Sequence, residues 1–357
     1  MIDFETLIGT LALLLCIVAV TTIAAIANKV YTGREADSKK RFLDQLRRSF
    51  LKLRSPEGQR EAMPVIVRSM RGRWSELAAQ EISQLELPLR LDVLHALEEA
   101  GIVAQLLRDA KSRLKWNRAH ALRILGELKL PMSIPTLLSA LEDKDADVRN
   151  VAARSLGRMK LQAAEEALIA LLGKHDQSVS ARIAAICIEM GPRTAPLLIK
   201  TLRDGGPKAR FWAARILGEI ADPRATRSMS ESLADTDADV RSAAGWAIGN
   251  IGDRSSASIV APLLQDEVWY VRAHAAEALG KIGDASFTTA LAEALRDQSW
   301  WVRRNALEAL VRLGEASKPA LMSALESEDR FARESAVEAL TSLGVTAIAP
   351  RREGAET

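Results

Sequence analysis

The chain has 357 residues, 48% of them apolar, 4% aromatic and 27% charged, with a formal net charge of +3. This composition excludes a disordered chain and a collagen, and two cysteines, Cys16 and Cys187, are too few for a cysteine-rich zinc site or a disulfide framework. The charge is unevenly spread: residues 1–28 carry −2, residues 29–54 carry nine Lys/Arg against Glu35, Asp37 and Asp44 for +6, and residues 55–357 carry −1.

Residues 6–28 contain no charged side chain, and positions 11–20 are continuously apolar. At about 1.5 Å per residue this segment reaches roughly 35 Å, enough for a hydrocarbon core of about 30 Å. A helix apolar on every face predicts a transmembrane helix over 6–28, with residues 1–5 as a short extracytoplasmic tail. The acidic start and the length of the run differ from a cleaved signal peptide, although Ala25-Ile26-Ala27 resembles a cleavage site. Leu15 is too large for a lipoprotein box at Cys16. Lys29, Arg34, Lys39, Lys40 and Arg41 follow the segment and no Lys or Arg precedes it. The positive-inside rule then predicts a single-pass membrane protein with its N-terminus outside and its remaining chain cytoplasmic, where Cys187 stays reduced.

Next, Phe42, Leu43, Leu46, Phe50 and Leu53 recur at helical spacing among basic residues, which predicts a basic juxtamembrane amphipathic helix within 29–54. Lys39, Lys40, Arg41, Arg47 and Arg48 are its candidate membrane-surface residues, for anionic headgroups. The alternative is a first helix packed on the following domain, its charges solvated.

From there the chain repeats itself. An arginine recurs at Arg118, Arg149, Arg210, Arg241, Arg272, Arg303 and Arg333, with Ser180 in the same row, at spacings of 31, 31, 30, 31, 31, 31 and 30. Three positions later stand Ala121, Ala152, Ile183, Ala213, Ala244, Ala275, Ala306 and Ala336, small enough for helices to approach closely. Seven positions later stand Leu125, Leu156, Cys187, Leu217, Ile248, Leu279, Leu310 and Leu340, on the same helical face and suited to a core. Gly126, Gly157, Gly218, Gly249 and Gly280 come next and suit helix ends. A further helical stretch precedes each arginine, as at 134–141, where Pro135 fits a first turn. Each unit therefore reads as two antiparallel helices that bury their apolar faces only by stacking on neighbours.

The acidic loop followed by Val-Arg-x-x-Ala-Ala-x-Ala-Leu-Gly resembles the HEAT-repeat superfamily, in particular the short HEAT-like repeats of the phycobilisome-lyase type. The resemblance covers about residues 100–347. It implies an all-α fold, a right-handed α-solenoid of about 8–10 helical hairpins over 55–347, preceded by the transmembrane helix and followed by a flexible tail at 348–357. Residues 56–100 read as one or two degenerate units, with 91–97 in a second helix. Ser180 departs from the arginine, and Asn117, Ala209 and Ala332 replace the usual valine.

Acids accompany the arginine row: Asp143, Asp145, Asp176, Asp204, Asp235, Asp237, Asp266, Asp297 and Asp329 precede it by four or six residues. This pairing predicts loop caps and ion pairs between repeats. By analogy with HEAT proteins the second helices line a concave surface. The row five after the arginine would face it: Arg123, Arg154, Ala185, Arg215, Trp246, Glu277, Glu308 and Glu338, with Phe211 and Arg304 one after the arginine. Candidate partner-binding residues there are Arg123, Arg154, Phe211, Arg215, Trp246 and Arg304. A second aromatic set, Trp116, Trp269, Tyr270, Trp300, Trp301 and Phe331, marks the starts of second helices, either wedging neighbouring loops or meeting a partner.

These features predict a membrane-tethered scaffold or adaptor that grips a protein partner, with no catalytic residue, cofactor, metal, nucleic acid or small-molecule substrate. The alternative is a bilin lyase or isomerase-like chromophore-handling protein. HEAT-repeat deoxyhypusine hydroxylases carry iron-binding His-Glu pairs, but His95, His120, His175 and His274 are followed by Ala, Ala, Asp and Ala. A HEAT-like DNA glycosylase needs a strongly basic groove, which a domain charge of −1 does not suggest.

Overall fold

Apolar residues three and four apart, punctuated every 31 residues by an acidic loop, leave the chain one way to bury itself, as helix packed on helix. The structure, a computed structural model, describes residues 21, 22, 29, 32–174 and 177–346, and every regular element among them is helical. The chain divides into two compact units, Met1–Leu137 with Lys144–Met159, and Leu138–Asp143 with Lys160–Thr357.

The first unit begins with α1 (32–52). There follow α2 (Pro56–Ser69), α3 (Ser75–Ser83), α4 (Leu87–Glu99), α5 (Ile102–Asp109), α6 (Lys115–Leu128), α7 (Ile134–Ser139), whose last two residues fall in the second unit, and α8 (Ala146–Met159). Leu46, Phe50 and Leu53 of the α1 segment are buried, Arg47 donates two hydrogen bonds to Glu81 of α3 at 2.8 and 2.9 Å, and Lys52 pairs with Glu61 of α2 at 2.8 Å. The apolar face of α1 is therefore covered by its own unit. The basic residues proposed for a membrane surface stay solvent-exposed, with Arg47 tied to a carboxylate.

The second unit contains α9 (Gln162–Ile169), α10 (Gln177–Met190), α11 (Ala195–Asp204), α12 (Pro207–Ile220), α13 (Thr226–Ser232), α14 (Ala238–Ile251), α15 (Ala257–Val260), α16 (Trp269–Ile282), α17 (Thr288–Glu293), α18 (Trp300–Leu313), α19 (Lys318–Leu325) and α20 (Arg330–Ser342). The first helices of its hairpins are broken up. For example, α15 is four residues flanked by 3₁₀ turns at Arg254–Ser256 and Ala261–Gln265, the second carrying Pro262 in its first turn. The second helices are regular: α10, α12, α14, α16 and α18 each have 14 residues, and α12, α14, α16, α18 and α20 pack in succession. Every member of the alanine and leucine rows is buried in its unit. Burying each leucine contributes about 1.5–3 kcal/mol.

The glycine row corrects the sequence expectation. Gly249 is not a helix end but an interior residue of α14, and a Cβ there would lie 2.6 Å from Ala278 Cα of α16. The row is glycine because the next helix touches the backbone at that point. The helices stop three residues later, eleven after the arginine, where Lys129, Lys160, Gly191, Ala221, Gly252, Gly283, Gly314 and Gly344 all have positive φ. Lys129, Lys160 and Ala221 take the left-handed conformation without glycine's freedom, so that row is hidden in the sequence.

The expected membrane topology is also corrected. Among the described residues no helix is long and apolar enough to cross a membrane, so the assignment as a single-pass membrane protein with a cytoplasmic solenoid is not upheld. The 6–28 segment on which it rested, apart from Thr21 and Thr22, lies outside the described residues, as do the tails at 1–5 and 348–357.

Candidate functional site

The arginine row forms a ladder within the second unit. Arg241 of α14 places Nε 2.8 Å and Nη2 3.0 Å from the two carboxylate oxygens of Asp266, in the loop of the next repeat. Its Nη1 donates to the carbonyls of Asp235 and Thr236, in its own loop, at 2.9 and 3.3 Å. Arg210 holds Asp235 in the same way, and Arg272 holds Asp297. Each aspartate also accepts from a backbone N–H two residues on, those of Asp237, Val268 and Ser299, which fixes the turn entering the second helix. Burial alone would push these carboxyls up. The bidentate guanidinium and the backbone N–H outweigh it and hold all three below the usual carboxylate range. The arginines therefore join loop to loop and are structural.

Arg303 and Arg333 keep the contacts to their own loop carbonyls, and the row departs from arginine at one position in this unit. Ser180 stands in the arginine position, where its hydroxyl accepts from Gly173 N–H at 3.4 Å, and Phe211, Trp212, Lys208 and Asp239 help to line a cavity of about 370 Å³ beside it. Phe211 and Trp212 meet edge to face at 5.4 Å, both half-buried. Near the other end of the unit, Phe331 lies over the Arg303 guanidinium at 4.2 Å.

On the row five after the arginine, Trp246 is half-buried. The Arg215 guanidinium lies over its ring at 3.8 Å and Lys281 Nζ is 5.6 Å away. Farther along, Arg304 bridges Glu308 and Glu338 at 2.7 and 2.9 Å. The residues expected to await a partner on this row are thus largely engaged with one another. Neighbouring helices are cross-linked nearby by Asn305 Nδ2 to the Ala273 carbonyl at 2.8 Å and by the Ser242 hydroxyl to His274 Nδ1 at 2.6 Å. Sequence reading missed these rungs, because each is a different residue pair and none repeats at 31.

The aromatic set at the helix starts is more open. Trp300 and Trp301 are each 56% exposed and Trp269 45%. Trp300 and Trp301 meet edge to face at 4.8 Å, and Trp269 meets Tyr270 at 5.6 Å. Tyr270 is half-buried, and burial followed by a hydrogen bond to Asp239 raises its phenol's pKa. Tyr270 is the enclosed member of the row, while Phe331, 51% exposed, and the tryptophans face solvent. Trp116 of the first unit is 72% exposed. Cys187 is buried in the leucine row, which pushes its thiol up to about 12 and leaves it unreactive. Among the described residues no three His, Cys, Asp or Glu side chains are grouped to hold a metal ion.

HEAT repeats match residues 100–188, 165–248, 228–311 and 288–351. The chain belongs to the HEAT-repeat family. Among solved structures, a Kap121p mutant is 15% identical with a TM-score of 0.52, over 85% of this chain and 39% of that one. That likeness shows the HEAT fold. A structure of Kap95p with RanGDP is 16% identical with a TM-score of 0.46, over 81% of this chain and 51% of that one. The complex of CpcE and CpcF of phycocyanin lyase from Nostoc sp. PCC7120 is 22% identical with a TM-score of 0.33, over 68% of this chain and 94% of that one. No curated protein matches the chain.

Proposed function

We propose that this HEAT-repeat protein is a scaffold that grips a protein partner rather than an enzyme, and that Trp269, Trp300 and Trp301 in the second unit are its anchors. The observation that carries the reading is the exposure of Trp300 and Trp301, each more than half open to solvent at the start of a helix that the arginine ladder clamps. Large aromatic rings held rigidly in water have little left to lose on binding and much apolar area to bury. Phe211, Arg215, Trp246 and Arg304 then act as a supporting surface, since each already has intramolecular company.

The test is affinity capture from the native source with the full chain, compared with Trp300→Ala/Trp301→Ala. The pair should lose captured protein while circular dichroism stays unchanged, because neither ring is in the core. Equal capture by the double variant would remove the tryptophans from the interface.

A further inference from the structure

In the first unit a groove of about 690 Å³ is lined by Lys39 of α1, Arg73 before α3, Arg123 and His120 of α6, and Arg154 and Arg158 of α8. Only two carboxylates line it, Glu76 and Glu127, so its lining carries a net +3 with His120 neutral. Both acids are committed. Glu76 accepts from Arg123 Nη1 at 2.9 and 3.0 Å and lies 3.0 Å from His120 Nδ1, and Glu127 accepts from Arg158 at 2.9 Å. Arg73 is paired with Glu35, outside the groove. Arg154 reaches only the Asn150 carbonyl of its own helix, at 3.5 Å, and among the described residues neither it nor Lys39 has a carboxylate partner.

This arrangement differs from the ladder in kind. In the ladder Arg210, Arg241 and Arg272 each meet an aspartate of the next repeat. Here the fold gathers cations from four elements that are far apart in sequence and supplies too few acids to neutralise them. The acids it does supply hold Arg123 and Arg158 in fixed positions, which pre-organises the donors for an incoming anion. Leu77, Val151 and the half-buried Trp74 give the groove an apolar lining between the charges. Converging positive charge over low-dielectric walls focuses the field into the groove.

We propose that this groove binds an acidic peptide segment of a protein partner, one that brings clustered oxyanions to Arg154, Arg123 and Lys39. Its size suits a short extended segment. The oxyanions are the carboxylates of Asp/Glu side chains, the group that guanidinium already meets in this groove at Arg123–Glu76 and Arg158–Glu127. A nucleic acid fits less well, because the two fixed carboxylates sit among the cations and the half-buried Trp74 ring already has the Arg73 guanidinium over it at 4.8 Å. The inference rests on the scaffold reading but not on the tryptophans of the second unit.

The experiment titrates the full chain against fluorescein-labelled hexaglutamate, a phosphoserine peptide of matched charge, a hexaglutamine control and a charge-matched single-stranded oligonucleotide, by anisotropy at two salt concentrations. Hexaglutamate should bind more tightly than hexaglutamine and weaken with salt. Arg154→Gln should weaken it about tenfold, as loss of one charged hydrogen-bonding partner implies, and Arg154→Lys should restore part of the loss. Arg154 is exposed, so circular dichroism of these variants should match the parent. Hexaglutamate tighter than the phosphopeptide supports the proposal, and a tighter phosphopeptide would overturn its choice of carboxylates. Hexaglutamate no better than hexaglutamine, no effect of Arg154→Gln, or tighter binding of the oligonucleotide would overturn it. Trp300→Ala/Trp301→Ala should leave peptide binding unchanged, which separates failure of this groove from failure of the aromatic anchors.

Discussion

Replacing Arg241 by glutamine tests the ladder at its best-enclosed rung. The side chains of Arg241 and Asp266 are only 11% and 8% exposed. The substitution strands the Asp266 carboxylate with a single backbone donor and removes the shared donor of two loop carbonyls. An exposed pair is worth about 0–1 kcal/mol, whereas breaking a buried pair costs about 3–5 kcal/mol. Partial enclosure places Arg241→Gln between them, at about 2–4 kcal/mol. For a unit of this size the loss corresponds to a fall in Tm of about 5–10 °C. The assay is thermal unfolding of the full chain by far-UV circular dichroism, with Arg330→Gln as control, since Arg330 is exposed and pairs with Glu334 one turn away. The control should shift by less than about 0.5 kcal/mol. A double-mutant cycle with Asp266→Asn should return a coupling above about 1 kcal/mol. Equal effects of Arg241→Gln and Arg330→Gln, or a coupling near zero, would refute a structural ladder.

Two glycines of α14 should respond with opposite signs. Gly249→Ala drives a Cβ to 2.6 Å from the α16 backbone and should destabilise by about 1–3 kcal/mol in denaturant unfolding, despite better helix propensity. Gly245→Ala meets Leu263 Cδ1 at 3.4 Å and Leu233 Cδ2 at 3.9 Å, both ordinary contacts, and should be neutral or stabilising by up to about 1 kcal/mol in the same assay. Ser180→Arg should fill the gap in the ladder. The cavity beside Ser180 and the exposed Asp204 of the next loop offer a guanidinium the space and the acid that other rungs use, so Tm should rise by a few degrees; a fall would show that the gap is packed for serine. Burial lowers the His274 pKa below its ordinary value of about 6.5, with Arg215 and Lys281 adding to the effect and Glu277 opposing it. The unfolded chain therefore binds the proton more readily, and stability should be full above that pH and decline as pH falls below it. His274→Asn should flatten that slope between pH 7 and 5, and identical slopes would exclude His274.

The repeat was legible because its core positions carry one residue type per row. Ala244 and Leu279 are recognisable from spacing alone, and they are buried where the 3.6-residue period puts them. The helix ends were misplaced because the rule that glycine stops helices met two glycine rows, one at a helix contact and one at the true cap, and Lys129 and Ala221 disguise the latter. The arginine ladder could be anticipated from the acids that travel with it, since charge pairs repeat as faithfully as leucines do. The enclosure of Trp246 could not, because it follows from the Arg215 guanidinium of the preceding second helix lying over its ring, a contact that no spacing announces. The basic groove was legible only in part. Arg123 and Arg154 share the row five after the arginine, but Lys39 and Arg73 come from α1 and the degenerate repeats, so no period links them to it. The amphipathic pattern of α1 fits a membrane or a neighbouring helix equally well, and buried Leu46 and Leu53 show the neighbour.

Site-specific photo-crosslinking tests the central claim most directly. A benzophenone amino acid placed at Trp301 and, separately, at Arg227, whose side chain is 87% exposed on α13, would be irradiated in the native source. One defined protein adduct is expected from position 301, lost when Trp300 is also changed to alanine, and no comparable adduct from position 227. The same adducts from both positions, or none from 301, would contradict it.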